Sequence, residues 1–529
     1  MHRLIIISDL PLGGRPDTRD EDGQLIETGS QLCHAYRELV AFVDHLTARD
    51  DAEERLELVI NGDLVDFLAP DPAEDGSRDV TFWDADQERV KAKLDAVEVR
   101  TAEVNGGRGF FAALADFLRR DPRHRLTILL GNHDVELALP AVRRHLSGLL
   151  GGSERLKFIY DGEAYVVGPV LIEHGNRYDL WNVVDYSRLR QERAVLSRRL
   201  PVDEEEREER FFVPPPGTLL VTQVMNLIKA RFRFVDLLKP ETEAVIPILL
   251  ALCRELRVDL QMILDATSIA RARSRKTMAS AVMPGAPGEL ADAPKAAAVP
   301  TSSGGVSSGS ELDEVLKRVL GEDAGPFLGG GGHELSFASD TRAAWERLKG
   351  RVKVLKKKLS KARLDRRLLL LALRALNAND VSFDPDREVA SYLDAARHTA
   401  HLGDFELIVY GHTHLPKRID ISSPDGVPSP DATRPRWYYN TGTWCSVMSL
   451  PPELLGDDMN AAERALDGFI TAIDANRFEP YTARFFPYLE VVLDGDALLE
   501  HQLLSFREGD PRADLIEHLN DNLTAGGVS

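Results

Sequence analysis

Little in this chain could staple a fold covalently or anchor it in lipid. Its 529 residues include three cysteines, Cys33, Cys253 and Cys445. They lie far apart and outside any Cys-x-x-Cys pair, which argues against a disulfide framework or a zinc knuckle and reads as three reduced thiols. No apolar run approaches the roughly 20 residues of a membrane span. The most apolar stretch, Val245–Leu252, is short and contains Pro247. The first apolar run, Leu4–Ile7, is too short for an export-signal core and leads straight into a polar motif, so a cytoplasmic protein is expected. Positive charge is also scarce: 65 Lys and Arg against 85 Asp and Glu leave a formal net charge of −20. The field of the whole molecule therefore repels polyanions, and nucleic acid is the less favoured partner.

What is present describes a globular chain, 43% hydrophobic and 28% charged, too long for a single ordinary core. From residue 1 to 185, β-type runs alternate with helical ones. Arg3–Ile7, Leu56–Ile60, Leu126–Leu130 and Tyr165–Ile172 are the expected strands, and Gln31–Arg49 and Gly109–Arg119 the expected helices. Strands of near-continuous Ile, Val and Leu separated by helices imply an α/β fold with sheets covered on both faces. Residues 186–385 change character to long charged helical patterns: Ser187–Leu200, Thr218–Leu238, Thr242–Ile269 and Thr341–Leu376. This block reads as a helical insertion, with a disordered stretch expected over residues 283–310, which are rich in Ala, Pro, Ser and Gly. Residues 386–529 return to the core with strands at Phe405–Tyr410 and Trp437–Asn440. A hairpin of Phe485–Leu493 and Ala497–Phe506 closes it, followed by a short helical tail.

Polar motifs stand where apolar runs end: Ser8-Asp-Leu-Pro-Leu-Gly-Gly14, Asn61-Gly-Asp-Leu-Val-Asp66, Gly131-Asn-His-Asp134, Glu173-His-Gly175 and Gly411-His-Thr-His414. In α/β folds, chemistry gathers on the loops at the carboxyl ends of strands. Asp9, Asp63, Asn132, His174, His412 and His414 offer the mixed O and N donors that divalent cations of intermediate softness take up. Two such ions about 3.5–4 Å apart would generate hydroxide at neutral pH and neutralise the charge that develops on a phosphoester. Singly, a Gly-Asp turn or a His-Gly pair carries almost no information; the ordered set carries the inference.

In that order the motifs resemble those of the calcineurin-like metallophosphoesterases: DxH, GDxxD, GNH(D/E), H-G and GHxH. The resemblance covers the two flanking segments and leaves the helical block uncovered. It implies a two-sheet αββα sandwich and hydrolysis of a phosphodiester, pyrophosphate or phosphomonoester. It implies that Asp63 bridges two metals. Asn132, His174 and His412 complete one site, while Asp9 and His414 serve the other. His133 is implied as general acid or donor to the phosphate, oriented by Asp66. Manganese is the first expectation for the metal, with iron, zinc, magnesium or nickel as alternatives. The stretch Glu173-His-Gly-Asn-Arg-Tyr-Asp179 is similar to the loop of the UDP-diacylglucosamine pyrophosphatase branch. The chain departs from the family at Pro11, where the pattern has a ligating imidazole and proline has no ligating atom. The acidic loop after it (Asp17, Asp20, Glu21, Asp22) reads first as a solvated loop and second as a source of substitute ligands. A weakened binuclear enzyme, a mononuclear enzyme and a degenerate binding site all remain open.

The insertion leaves the core just after His174 and returns before His412, so it is expected to stand as a cap over the site. Within it, Leu348, Val352, Leu355, Leu359 and Ala362 have the spacing of a helix–helix seam. Lys353, Lys356, Lys357, Lys358, Lys361, Arg363, Arg366 and Arg367 make the same helix basic. That face reads first as solvated or paired with acidic residues such as 203–206, and second as a contact for nucleic acid or a peripheral membrane surface. Beside the phosphoesterase stand two other readings: a nuclease, and a catalytically weak scaffold that binds a protein partner or self-associates through the helical block.

Overall fold

The computed structural model describes residues 1–21, 25–27, 29–49, 54–70, 83, 87–179, 181–198, 200, 211–229, 231–238, 245–258, 260–261, 311–328, 364–379, 384–423 and 434–515. The stretch 283–310, the helix seam 348–362 with its lysines, Asp22 and the acidic residues 203–206 lie outside these described residues.

The first strand, β1 (His2–Ile7), shows how the architecture arises. Leu4 and Ile6 belong to one apolar cluster, and Ile5 and Ile7 to another. Alternation along a strand places successive side chains on opposite faces, so a run that is apolar throughout must be covered on both. β1 pairs in parallel with β4 (Arg55–Asn61), which pairs with β5 (Arg125–Leu129) and then β6 (Leu156–Ile159). On the other side β1 pairs antiparallel with β14 (Pro487–Asp494). That strand continues through β15 (Ala497–Ser505) to β16 (Ala513–Asp514), giving seven strands. The tail therefore begins as a short strand where a helix was expected, because Ala513 and Asp514 meet the open edge of β15.

A second sheet of five strands contains β7 (Tyr165–Val167), β8 (Val170–Ile172), β9 (Leu407–Tyr410), β11 (Trp437–Asn440) and β10 (Lys417–Asp420). Its three central strands are parallel. The single strand expected over Tyr165–Ile172 is a hairpin instead; Gly168, at φ +53°, and Pro169 turn the chain between β7 and β8. Two small pairs, β2 (Thr18–Arg19) with β3 (Leu25–Glu27) and β12 (Val447–Met448) with β13 (Thr482–Ala483), lie apart.

The inner faces of the two large sheets share one core: Leu4, Ile6, Val59, Val170, Val409 and Val491 are all buried in it. The outer face of the larger sheet carries helices Tyr36–Ala48, Gln87–Val104, Phe110–Arg120 and Pro140–Leu149. In the first of these, Tyr36, Leu39, Val40, Phe42, Val43 and Leu46 form the buried stripe. The outer face of the smaller sheet is covered by helix Ala390–Gly403 through Tyr392, Ala396 and Ala400. The result is a mixed α/β fold of two stacked sheets with helices outside.

A separate apolar cluster holds the helical block together. Helix Val245–Leu252 is buried at every position and packs against helix Arg366–Asn379, a helix apolar all round being an interior one. Thr218–Leu238, expected as one helix, is helical without a gap from Pro216 to Lys229, with one wide turn at Val221–Met225, and ends in the separate tight turn Arg233–Leu237. The cluster also takes in Leu454, Leu466, Phe469 and Phe478, with the rings of Phe234 and Phe469 5.3 Å apart. Helix Met459–Ala475 thus packs on the helical block although it follows residue 386.

Glu57 is a charged side chain that β4 turns into the space between the sheets, where it is 1% exposed. It accepts from Tyr165 Oη (2.6 Å), Thr127 Oγ1 (2.7 Å) and Arg55 (2.7 Å), and His2 Nε2 stands at 3.0 Å. Burial pushes its pKa up, but the bonds from His2, Tyr165 and Thr127 outweigh burial and hold it at about 2. A depressed carboxylate contributes stability above its unfolded value of 4.5 and loses it as pH falls through about 2. Glu57→Gln should cost about 1–3 kcal/mol at neutral pH and flatten this acid dependence. Urea midpoints across that window would refute the assignment if wild type and variant fell in parallel.

Candidate metal centre

Five of the parallel strands of the two sheets are followed by a motif residue: Asp9 after β1, Asp63 after β4, Asn132 after β5, His174 after β8 and His412 after β9. The turns are tight. Asp9, Asp63, His412 and His414 have φ of +54°, +52°, +70° and +65°, and they make up four of the seven non-glycine residues with positive φ among the described residues. Such backbone costs on the order of 1–3 kcal/mol each and persists only where the surroundings enforce it.

The motif glycines allow the loops to meet. A Cβ on Gly62 would lie 2.4 Å from His174 Nδ1; on Gly131, 2.0 Å from Asp63 Oδ1; on Gly411, 2.6 Å from Asp9 Oδ2. Polar bonds then hold the strand ends together, the first across the two sheets and the others within the smaller one. Asn61 Nδ2 donates to the Glu173 carbonyl (2.9 Å), and Gly411 N donates to the His174 carbonyl (3.0 Å). Asn440 Nδ2 donates to the Gly411 carbonyl (2.6 Å) and to Thr413 Oγ1 (2.9 Å).

Three imidazoles stand here, each with one nitrogen committed to an oxygen. His174 Nδ1 lies 2.8 Å from the Asn61 carbonyl, His133 Nδ1 3.2 Å from Asp66 Oδ1, and His412 Nε2 3.1 Å from Asp179 Oδ2. For His174 and His412 such a partner fixes ring orientation and turns the other nitrogen toward a ligand. Asp63 Oδ1 accepts from His133 N (2.8 Å), while its Oδ2 faces His174 Nε2 at 3.2 Å. Ligand atoms of Asp63, His174 and His412 all lie within 4.8 Å of one another, the one such cluster of acidic, His or Cys side chains among the described residues.

The buried atoms at this convergence without a hydrogen-bond partner include Asp63 Oδ2, His174 Nε2 and Asn132 Oδ1. Orphaned buried polar atoms carry a penalty that a cation removes. Two carboxylate or amide oxygens and two imidazoles therefore fit a divalent ion of borderline softness. Burial pushes the Asp63 carboxyl up, but His174 and His133 hold it well below the ordinary range. In return, burial disfavours charge on His174, yet the Asp63 carboxylate raises its pKa to about 10. Without an ion, His174 is held protonated beside the Asp63 carboxylate, and an ion would displace that proton.

Asp9 and His414 are also brought to this edge, but in a different state. Both Asp9 oxygens accept from His412 N (3.2 and 3.0 Å), and Ser8 Oγ donates to Oδ2 (2.5 Å). His414 Nε2 stands 3.8 Å from Asp9 Oδ1. Pro11 is buried in a segment that runs beside the second motif: Leu10 N donates to the Asp63 carbonyl and Leu12 N to the Leu64 carbonyl, so no bond is lost by its missing N–H. Asp17 pairs with Arg233 and accepts from Gly29 N, and Asp20 and Glu21 are exposed. Among the described residues, no carboxylate of that loop joins the cluster.

Two side chains had no role assigned from the sequence. Asp134 accepts from Gly131 N (2.7 Å) and Leu64 N (2.8 Å), stapling the second and third motifs; burial and the Asp63 charge raise its pKa to about 7. Asp179 holds His412. The fourth position of Gly131-Asn-His-Asp134 was a visible signal for Asp134, whereas no spacing rule points from Asp179 to a residue more than two hundred positions away. Beside the polar floor, Leu220, Val221, Met225 and Val245 of the helical block line the same cleft as Asn132, His133, His412 and His414. No protein-family model matches the chain, and no curated protein matches it.

Gly131→Ala should abolish divalent-ion binding, since the added carbon has only the Asp63 carboxylate and backbone to displace; Mn²⁺ titration followed by electron paramagnetic resonance checks this. In wild type, ion binding at pH 7 should release about one proton from the Asp63–His174 pair. Calorimetry in two buffers of different ionisation enthalpy measures it, and identical heats would refute it.

Proposed function

We propose that this protein is a metal-dependent phosphoesterase with the two-sheet sandwich of the calcineurin-like metallophosphoesterases. The observation that carries the reading is the convergence of Asp63, Asn132, His174 and His412 from four separate strand ends, with unpartnered atoms on the first three. These four residues would hold the ion, manganese first. Bound there, it would supply Lewis-acid chemistry to a phosphoryl oxygen and make a nucleophile available near neutral pH. A second ion would rest on Asp63, Asp9 and His414, a set one imidazole short at Pro11, so the mononuclear form is favoured over the binuclear one.

His133 lines the cleft with Nδ1 held by Asp66, which leaves Nε2 as the ring edge that meets a phosphoester. Protonated, that edge donates to a non-bridging oxygen or to the leaving group; Asp66 stabilises the imidazolium and fixes its direction. Asp134 and the motif glycines keep the loops in place while this happens. The apolar residues of the helical block beside the floor support its reading as a cap that restricts access.

The nuclease reading rested on the basic helix, of which Lys353 to Arg363 lie outside the described residues and Arg366 pairs with Asp467, and nothing in the cleft favours it. The test measures metal content and hydrolysis of bis-p-nitrophenyl phosphate with added Mn²⁺. Asp63→Ala should lose both. His133→Ala should retain the ion and lower kcat by about 10²–10⁴-fold. Pro11→His should raise activity by rebuilding the missing ligand. A wild-type protein without metal and without hydrolysis would overturn the proposal in favour of the scaffold.

A further inference from the structure

We infer that Asp179 is a positioning residue that couples the helical cap to the metal centre through His412. The inference rests on the metal-centre reading and extends it to a residue outside the ligand set.

Asp179 and His412 side chains are 10% and 8% exposed, and Asp179 Oδ2 lies 3.1 Å from His412 Nε2. With Nε2 held there, Nδ1 becomes the ligating nitrogen. A carboxylate behind a ligating imidazole fixes its tautomer and makes it a stronger donor. His174 has only a neutral carbonyl in that position, so Asp179 is the acidic counterpart for His412. His412 needs the help, because its backbone is held at φ +70°.

The other bonds of Asp179 lead away from the centre into the cap. Trp181 N donates to Oδ1 (2.8 Å) and Asn182 Nδ2 to Oδ2 (2.6 Å). The Trp181 carbonyl accepts from Gly217 N (2.7 Å). A Cβ on Gly217 would lie 2.2 Å from Asn182 Oδ1, so this close approach needs glycine. Trp181 itself is buried in the apolar cluster of the helical block. Cap packing, the 179–182 turn and His412 are thus one connected set, and a shift of the cap moves the carboxylate that aims the ligand.

Asp179→Asn keeps shape and the bond to Trp181 N while removing the charge. Mn²⁺ affinity by paramagnetic resonance should fall by about 10–100-fold, with hydrolysis recovering at saturating Mn²⁺. Gly217→Ala, whose added carbon presses on the Asn182 amide that bonds Asp179, should weaken Mn²⁺ binding in the same direction, with thermal melts confirming that both variants fold. Equal or tighter Mn²⁺ binding by folded Asp179→Asn would overturn the role of Asp179 alone. Unchanged binding by folded Gly217→Ala would overturn the coupling to the cap. Absence of Mn²⁺ binding in wild type would instead overturn the metal centre, and this inference with it.

Discussion

A carboxylate removed from water must find donors or a cation, and Asp63 has found too few donors. It sits at the end of β4, 1% exposed, with one oxygen bonded to His133 N and the other turned to His174 without a hydrogen bond. The third motif reaches it through the His133 N–H, the fourth through the His174 ring. Asp134 staples the loops on either side of it, and Gly131 gives up its side chain so that the carboxylate fits. Removing that negative charge would take away the chief offset to the burial that disfavours charge on His174, and the ring would lose its proton.

The rest of the molecule supplies the rigidity this arrangement needs. Two sheets share one apolar core, and each is backed by helices, so their strand ends cannot drift apart independently. Strained backbone at Asp9, Asp63, His412 and His414 is held by that packing and not by local preference. The same edge shows why Asp9 and Asp63 differ. Asp9 is satisfied by the His412 N–H and Ser8 Oγ, and it binds the first motif to the last; Asp63 is left with an orphaned oxygen. Pro11, which has no ligating atom, follows Asp9 on the satisfied side of the pair.

Legibility in the sequence followed the range of the physics. Strands β1, β4, β5 and β11 and the closing hairpin were readable because their apolar runs and turns are local signals. The hairpin at Gly168 was missed because the run Tyr165–Ile172 is apolar enough to pass for one strand. The expected helix Thr218–Leu238 held through Lys229; its end is a separate tight turn, where Phe234 packs on Phe469, a partner distant in sequence. Metal-ligand candidates were legible as residue types in order. Asp179 was not, since its meaning lies in a 3.1 Å contact with a residue on another strand.

By itself, the sequence determined which side chains end the strands, where glycine relieves the turns, and that residue 11 has no ligating atom. These are properties of single residues and short spacings. Only the tertiary structure decided which carboxylate is satisfied and which is not, and which nitrogen of each imidazole is taken. It also placed the helical block along the cleft. Those outcomes depend on distances between atoms from six separate segments, and such distances exist only once both sheets are stacked and their edges aligned.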